Sequence, residues 1–120
     1  MDSSYRKLIQ HNGKTIACHD YHGLGGQDYA EAILQNAALI ENERFRDRLV
    51  LIDATDTVVD KSVMKAYRII AEKSADALSK TAVFGATGIQ QLFITTIANL
   101  FRLDVRAFKT KDEALEWLTS

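Results

Sequence analysis

Three short strand-like runs, Leu49-Val50-Leu51-Ile52, Thr81-Ala82-Val83-Phe84 and Val105-Arg106-Ala107-Phe108, alternate with segments whose apolar residues recur at helical spacing. Strands separated by helices pair in parallel, because the crossover helix returns the chain to the same end of the sheet. The alternation therefore restricts the chain to an α/β fold. Leu49 to Ile52 lacks polar alternation, which is the pattern of a strand covered on both faces. The beginning of the chain differs. Tyr5 to His11 and Lys14 to Tyr21 flank Asn12-Gly13, the pair a type I′ turn favours because both central residues take positive φ. That predicts an opening β-hairpin.

His22-Gly23-Leu24-Gly25-Gly26 then breaks the chain, and Asp28 and Glu31 suit the positive end of a first helix. Tyr29, Ile33, Ala37 and Ile40 form its apolar stripe, widened by Ala30, Leu34 and Ala38. Residues 41–48, with Arg44, Arg46 and Arg48 alternating with acids and Phe45, read as a solvated charged link. Asp60 is the expected N-cap of a second helix whose Val63, Ala66, Tyr67, Ile70 and Ser74 share a face. A third helix carries Leu92, Phe93, Ile97, Leu100 and Phe101, and Ile89 and Ile94 extend its apolar surface around more of the circumference. Thr110 and Glu113 have capping-box spacing and open a last helix with Ala114, Leu115, Trp117 and Leu118. The expected order is β-β-α-β-α-β-α-β-α, a mixed sheet with helices in a single domain over residues 1–120. The absence of proline and the presence of only six glycines suit such dense regular structure.

Charge excludes several functions. Fifteen Lys and Arg against sixteen Asp and Glu give a net charge of −1, with no electrostatic footprint for nucleic acid or a polybasic membrane patch. No apolar stretch approaches the roughly 18 residues of a membrane span, and no leader-like run follows the first residues. The lone Cys18 excludes an internal disulfide and a thiolate zinc site, so a cytoplasmic protein without metal or cofactor is expected.

Three clusters could carry chemistry. Gly85-Ala86-Thr87-Gly88 lies between a strand and a helix, where Gly85, Thr87 and Gly88 could form an anion site. The dinucleotide pattern fails at Gln91, so the two glycines are read as backbone freedom in a strand-to-helix turn. Asp53, Asp56 and Asp60 follow the third strand, at the end where α/β sheets bind ligands and where clustered carboxylates could hold Mg²⁺; a turn acid, a solvated acid and an N-cap account for them better. Asp53, Thr87 and Lys109 also occupy the three places a response-regulator receiver would use, with Asp53 as phosphoacceptor, although the receiver's early acidic pair is missing. His11, His19 and His22 do not form a metal site with Cys18, because Cys18 and His19 point to opposite faces of one strand. No nucleophile, base and oxyanion donor come together, which argues against an enzyme.

The opening hairpin, the element order, Leu49-Val50-Leu51-Ile52-Asp53, Thr81-Ala82-Val83, and Phe108 with Glu113-Ala114-Leu115-Glu116-Trp117-Leu118 together resemble the SpoIIAA-like branch of the STAS domains, the anti-sigma-factor-antagonist fold. The resemblance covers nearly the whole chain and implies a non-catalytic regulatory domain that acts through a protein partner, as a homodimer. It places Ser62, in Asp60-Lys61-Ser62-Val63, on the family's phosphoacceptor position, with Val63 where the family pattern has glycine. It also implies kinship in fold with CRAL-TRIO lipid-binding domains. Under that alternative, Leu92, Phe93, Ile94, Ile97, Leu100 and Phe101 would cover a lipid or other apolar ligand, or else a dimer partner.

Overall fold

The computed structural model describes residues 5–42, 48–74 and 78–120. Nine elements follow in the expected order: β1 (Arg6–His11), β2 (Lys14–Asp20), α1 (Gly26–Asn42), β3 (Arg48–Asp53), α2 (Lys61–Ser74), β4 (Leu78–Phe84), α3 (Gly88–Leu100), β5 (Val105–Phe108) and α4 (Lys111–Leu118). The five strands form one sheet in the order β1-β2-β3-β4-β5, antiparallel only at the β1–β2 hairpin. Asn12 and Gly13 at the hairpin turn have φ of 50° and 77°, as a type I′ turn demands. The sequential order corrects the receiver alternative, whose doubly wound sheet runs 2-1-3-4-5. An antiparallel first strand leaves no room for the crossover that such an order needs.

The sheet is covered on both faces, and β3 shows why its sequence does not alternate. Val50 and Ile52 join the core beneath α1, α2 and α3, while Leu49 and Leu51 pack with Ala114, Leu115 and Leu118 of α4. On α2 the expected face is buried in full, from Val63 to Ser74. On α1 the expected stripe of Tyr29, Ile33, Ala37 and Ile40 is buried together with Ala30, but it widens on the other side from the expectation. Leu34 and Ala38 are exposed, and Ala32 and Asn36 are buried instead. Part of the charged link is regular: α1 continues through residues 41 and 42 and residue 48 begins β3, while 43–47, with Arg44 and Arg46, lie outside the described residues. At α4 the Thr110 side chain accepts from Glu113 N–H, but its own O–H goes to the Glu113 carboxylate, so only half of the expected box forms. The complete reciprocal box stands at α3, between Thr87 and Gln90.

The turn after β4 is tightly packed. Gly85 has φ of 81°, and a Cβ there would stand 2.2 Å from Thr55 Oγ1 and 2.8 Å from its backbone. Gly88 is different, with open space where a Cβ would go and no positive φ. Backbone freedom is thus required at Gly85 and not at Gly88, which corrects half of the sequence reading. Gly85→Ala should lower unfolding free energy by about 2–4 kcal/mol, from backbone strain plus the clash, while Gly88→Ala should stay within about 0.5 kcal/mol. Urea denaturation of both variants checks this, and equal effects would overturn it.

Candidate functional site

The carboxyl ends of β2, β3 and β4 deliver three loops to one end of the sheet, and backbone hydrogen bonds stitch them together. Tyr21 N–H donates to Asp53 C=O, Gly23 N–H to Thr55 C=O, and Ala54 N–H to Phe84 C=O. The acids here are engaged in the turns. Asp53 accepts from Thr55 N–H at 2.9 Å, and Asp20 accepts from His22 N–H at 3.1 Å. The exposed His22 ring lies between Asp53 (3.9 Å) and Asp56 (3.6 Å). Among the described residues, no three His, Cys, Asp or Glu side chains are arranged to hold a metal ion. The Thr87 hydroxyl accepts from Gln90 N–H, and Gly85 lies against Thr55.

Asp60 leaves this cluster to cap α2, accepting from Val63 N–H at 3.0 Å. Ser62, in the first turn and half-exposed, donates its O–H to the same carboxylate oxygen at 2.5 Å. That hydroxyl, with the Val63 N–H, holds the Asp60 carboxyl below its ordinary range. Beside Ser62 the outer face of α2 presents Lys61, Met64, Lys65 and Arg68 in one shallow patch. The Gln90 side chain reaches back to Thr57 C=O at 3.1 Å and ties the start of α3 to the segment before α2. Val58, 66% exposed, therefore stands near the N-terminus of α3.

On α3 the six residues expected to act as one surface divide. Ile97 is buried, Phe93, Ile94 and Phe101 are half-buried, and Leu92 and Leu100 are exposed at 70% and 66%. Ile89, at 83%, completes an outward row with the latter two, spaced i, i+3 and i+11 over about 16 Å of helix. The inward side of α3 closes a slot over the sheet against α2, containing a cavity of about 60 Å³ lined almost entirely by apolar atoms. His19, 1% exposed, lines it together with Ile94, Ile97 and Leu103.

His19 is the residue that sequence reasoning missed, because a histidine in a short strand carries no periodic signal of its own. A ladder explains its state. The Asn36 amide donates to the Tyr21 hydroxyl at 2.9 Å, and burial raises the Tyr21 phenol, which keeps its proton. The Tyr21 hydroxyl lies 3.4 Å from His19 Nδ1, and His19 Nε2 has no partner among the described residues. Burial, aided by the nearby Arg6 charge, pushes the imidazole down to about 3.

The other face of the sheet carries a groove over β1 and β2, where Cys18 lies between Lys7 and Lys111. Burial raises the thiol despite the two lysines, which keeps it protonated and a poor nucleophile.

A family model described as SpoIIAA-like matches residues 21–119. The chain belongs to the SpoIIAA-like family. A solved structure of an uncharacterised protein with a SpoIIAA-like fold, from Shewanella loihica PV-4, superposes with a TM-score of 0.71 at 15% identity and covers 98% of each chain. A search of curated proteins finds no match. The SpoIIAA-like family is generally non-catalytic, and no described helix is long and apolar enough to cross a membrane. The family match begins at Tyr21, yet the preceding hairpin is integral to this SpoIIAA-like sheet, because β2 pairs with β3 from Ile16 to Asp20.

The depressed His19 imidazole makes stability depend on pH in a definite direction. The unfolded chain takes up this proton near 6.5, and the folded SpoIIAA-like chain does not until about 3. Its contribution is present above pH 6.5 and is lost as pH falls toward 3, with a slope approaching about 1.4 kcal/mol per pH unit. His19→Leu should flatten the unfolding free energy between pH 7 and 5, with a difference in slope that approaches one proton near pH 5, measured by denaturant titration at each pH. Identical slopes in the two proteins would refute the assignment.

Proposed function

We propose that this SpoIIAA-like chain is a non-catalytic regulatory domain that docks protein partners through the face shared by α2 and α3. The outward row Ile89, Leu92 and Leu100 carries this reading, because it leaves three large aliphatic side chains in water on one helix face, with Val58 near one end. In the proposal a second copy of the chain covers the α3 row and makes a cytoplasmic homodimer. The cationic strip of Lys61, Lys65 and Arg68 faces an acidic partner.

Ser62 is the switch in this scheme. A phosphoryl group there adds about −1.5 to −2 charges beside the strip and removes the O–H that Asp60 accepts. Two anions then share the start of α2, and an acidic partner loses its attraction. Asp53, the alternative phosphoacceptor, has one oxygen held by Thr55 N–H in a turn, so Ser62 is the better candidate.

A second reading, a carrier or sensor for a lipid or other apolar molecule, is favoured by the slot between α2, α3 and the sheet. The two readings use opposite sides of α3 and so can be tested separately.

Leu92→Asp should leave stability within about 0.5 kcal/mol, because the side chain is exposed, and should weaken self-association at least tenfold by sedimentation. A monomeric wild-type protein, or an unaffected dimer, would overturn the dimer assignment. Chain purified gently from its own host should retain a stoichiometric partner that Ser62→Asp and Lys65→Glu release and Ser62→Ala retains. Retention by all three variants would refute the switch.

A further inference from the structure

We infer that the groove on the α4 face of the sheet binds a small zwitterion, an ammonium and a carboxylate about 7 Å apart on an apolar spacer. The groove lies across the sheet from the docking face and the slot, so the inference is independent of both readings above. Helix α4, only eight residues long, packs over Leu49, Leu51 and Ala82 and leaves Cys18 and Phe84 partly uncovered. The space beside it measures about 360 Å³, within the range of small-molecule sites. Its apolar lining comes from Ile9, Cys18, Leu51 and Phe84. Arg6 and His19 also border it, but strand alternation turns their side chains to the other face.

The remaining charges are sorted by sign. Lys7 pairs with Cys18 across the hairpin and Lys111 begins α4, and both ammonium charges act on the Cys18 thiol. Both lysines are exposed, and among the described residues neither is within ion-pair distance of an acid. Two residues along β2, Asp20 stands beside Asp53 of β3 on the same face. Each carboxylate gives one oxygen to a turn N–H, Asp20 to His22 and Asp53 to Thr55. The His22 ring approaches the other Asp53 oxygen at 3.9 Å, too far for a hydrogen bond. Like charges held close together are relieved by an opposite one. The lysine end therefore selects a carboxylate and the aspartate end an ammonium, with methylenes over the apolar lining between them. Two residues of strand, at about 3.3 Å each, set the spacing. A ligand with a single charge leaves one like-charged pair unrelieved.

ε-Aminocaproate has this spacing, and heptanoate and hexylamine are the same chain with one charged end replaced by a methyl group. Each is titrated into the full nitrogen-15-labelled chain and followed by its amide shifts. ε-Aminocaproate should bind about three- to tenfold more tightly than either, with shifts at Cys18, Asp20, Leu51 and Asp53. Lys7→Met with Lys111→Met should weaken ε-aminocaproate and heptanoate and leave hexylamine within about twofold. Asp20→Asn with Asp53→Asn, which keeps an acceptor for both turn N–H groups, should weaken ε-aminocaproate and hexylamine instead. The ranking on wild-type chain decides the matter even where a variant fails to fold. Heptanoate or hexylamine binding as tightly as ε-aminocaproate overturns the zwitterion. Binding of no probe, or shifts confined to another face, overturns the site.

Discussion

Three phenols beneath α1 and α2 set the position of everything else in the helical layer. Tyr29 of α1 and Tyr67 of α2 share a buried hydrogen bond of 2.5 Å, and Tyr21, just past β2, packs against both rings. Burial raises all three phenols, so the cluster stays neutral and acts as an apolar wedge with satisfied polar ends. The wedge holds α1 and α2 together over the strands and fixes the start of α2, where Asp60 and Ser62 stand. Helix α3 joins this pair at its margin through Phe93, and the volume left beneath it is the slot.

One helix therefore separates two surfaces of different chemistry. Outward, α3 offers aliphatic side chains to water, beside the cationic face of α2. Inward, it closes an apolar chamber whose floor carries a neutral histidine. A docking partner and a small ligand would press on opposite sides of the same three turns, and both would act on a helix anchored less deeply than its neighbours. Only Ile97 and Ala98 of α3 are fully buried.

Much of this architecture was legible from local pattern. The Asn12-Gly13 turn, the double burial of β3, the Asp60 cap and the α2 face from Val63 to Ser74 all follow from periodicity and turn chemistry acting over a few residues. Resemblance to the SpoIIAA-like family supplied the candidate role of Ser62. The α1 stripe was misjudged at Leu34 and Ala38, because Asn36 is a polar residue that the core accepts only when Tyr5 and Tyr21 take its amide hydrogens. No local rule announces those partners, which lie 31 and 15 residues away.

The sequence by itself determined which segments are strands and helices, and in what order, since hydrophobic period and turn residues act through the chain's own neighbours. It did not determine which side of a nearly all-apolar helix would be covered. Six residues of α3 looked equivalent, and packing divided them into buried Ile97, half-buried Phe93, Ile94 and Phe101, and exposed Leu92 and Leu100. It was likewise silent on the state of His19, whose surroundings combine Tyr21, two residues along the chain, with Asn36 from α1 and Arg6 from β1. Burial is a property of what lies opposite a side chain, and for α3 and His19 the tertiary structure alone supplies the opposite side.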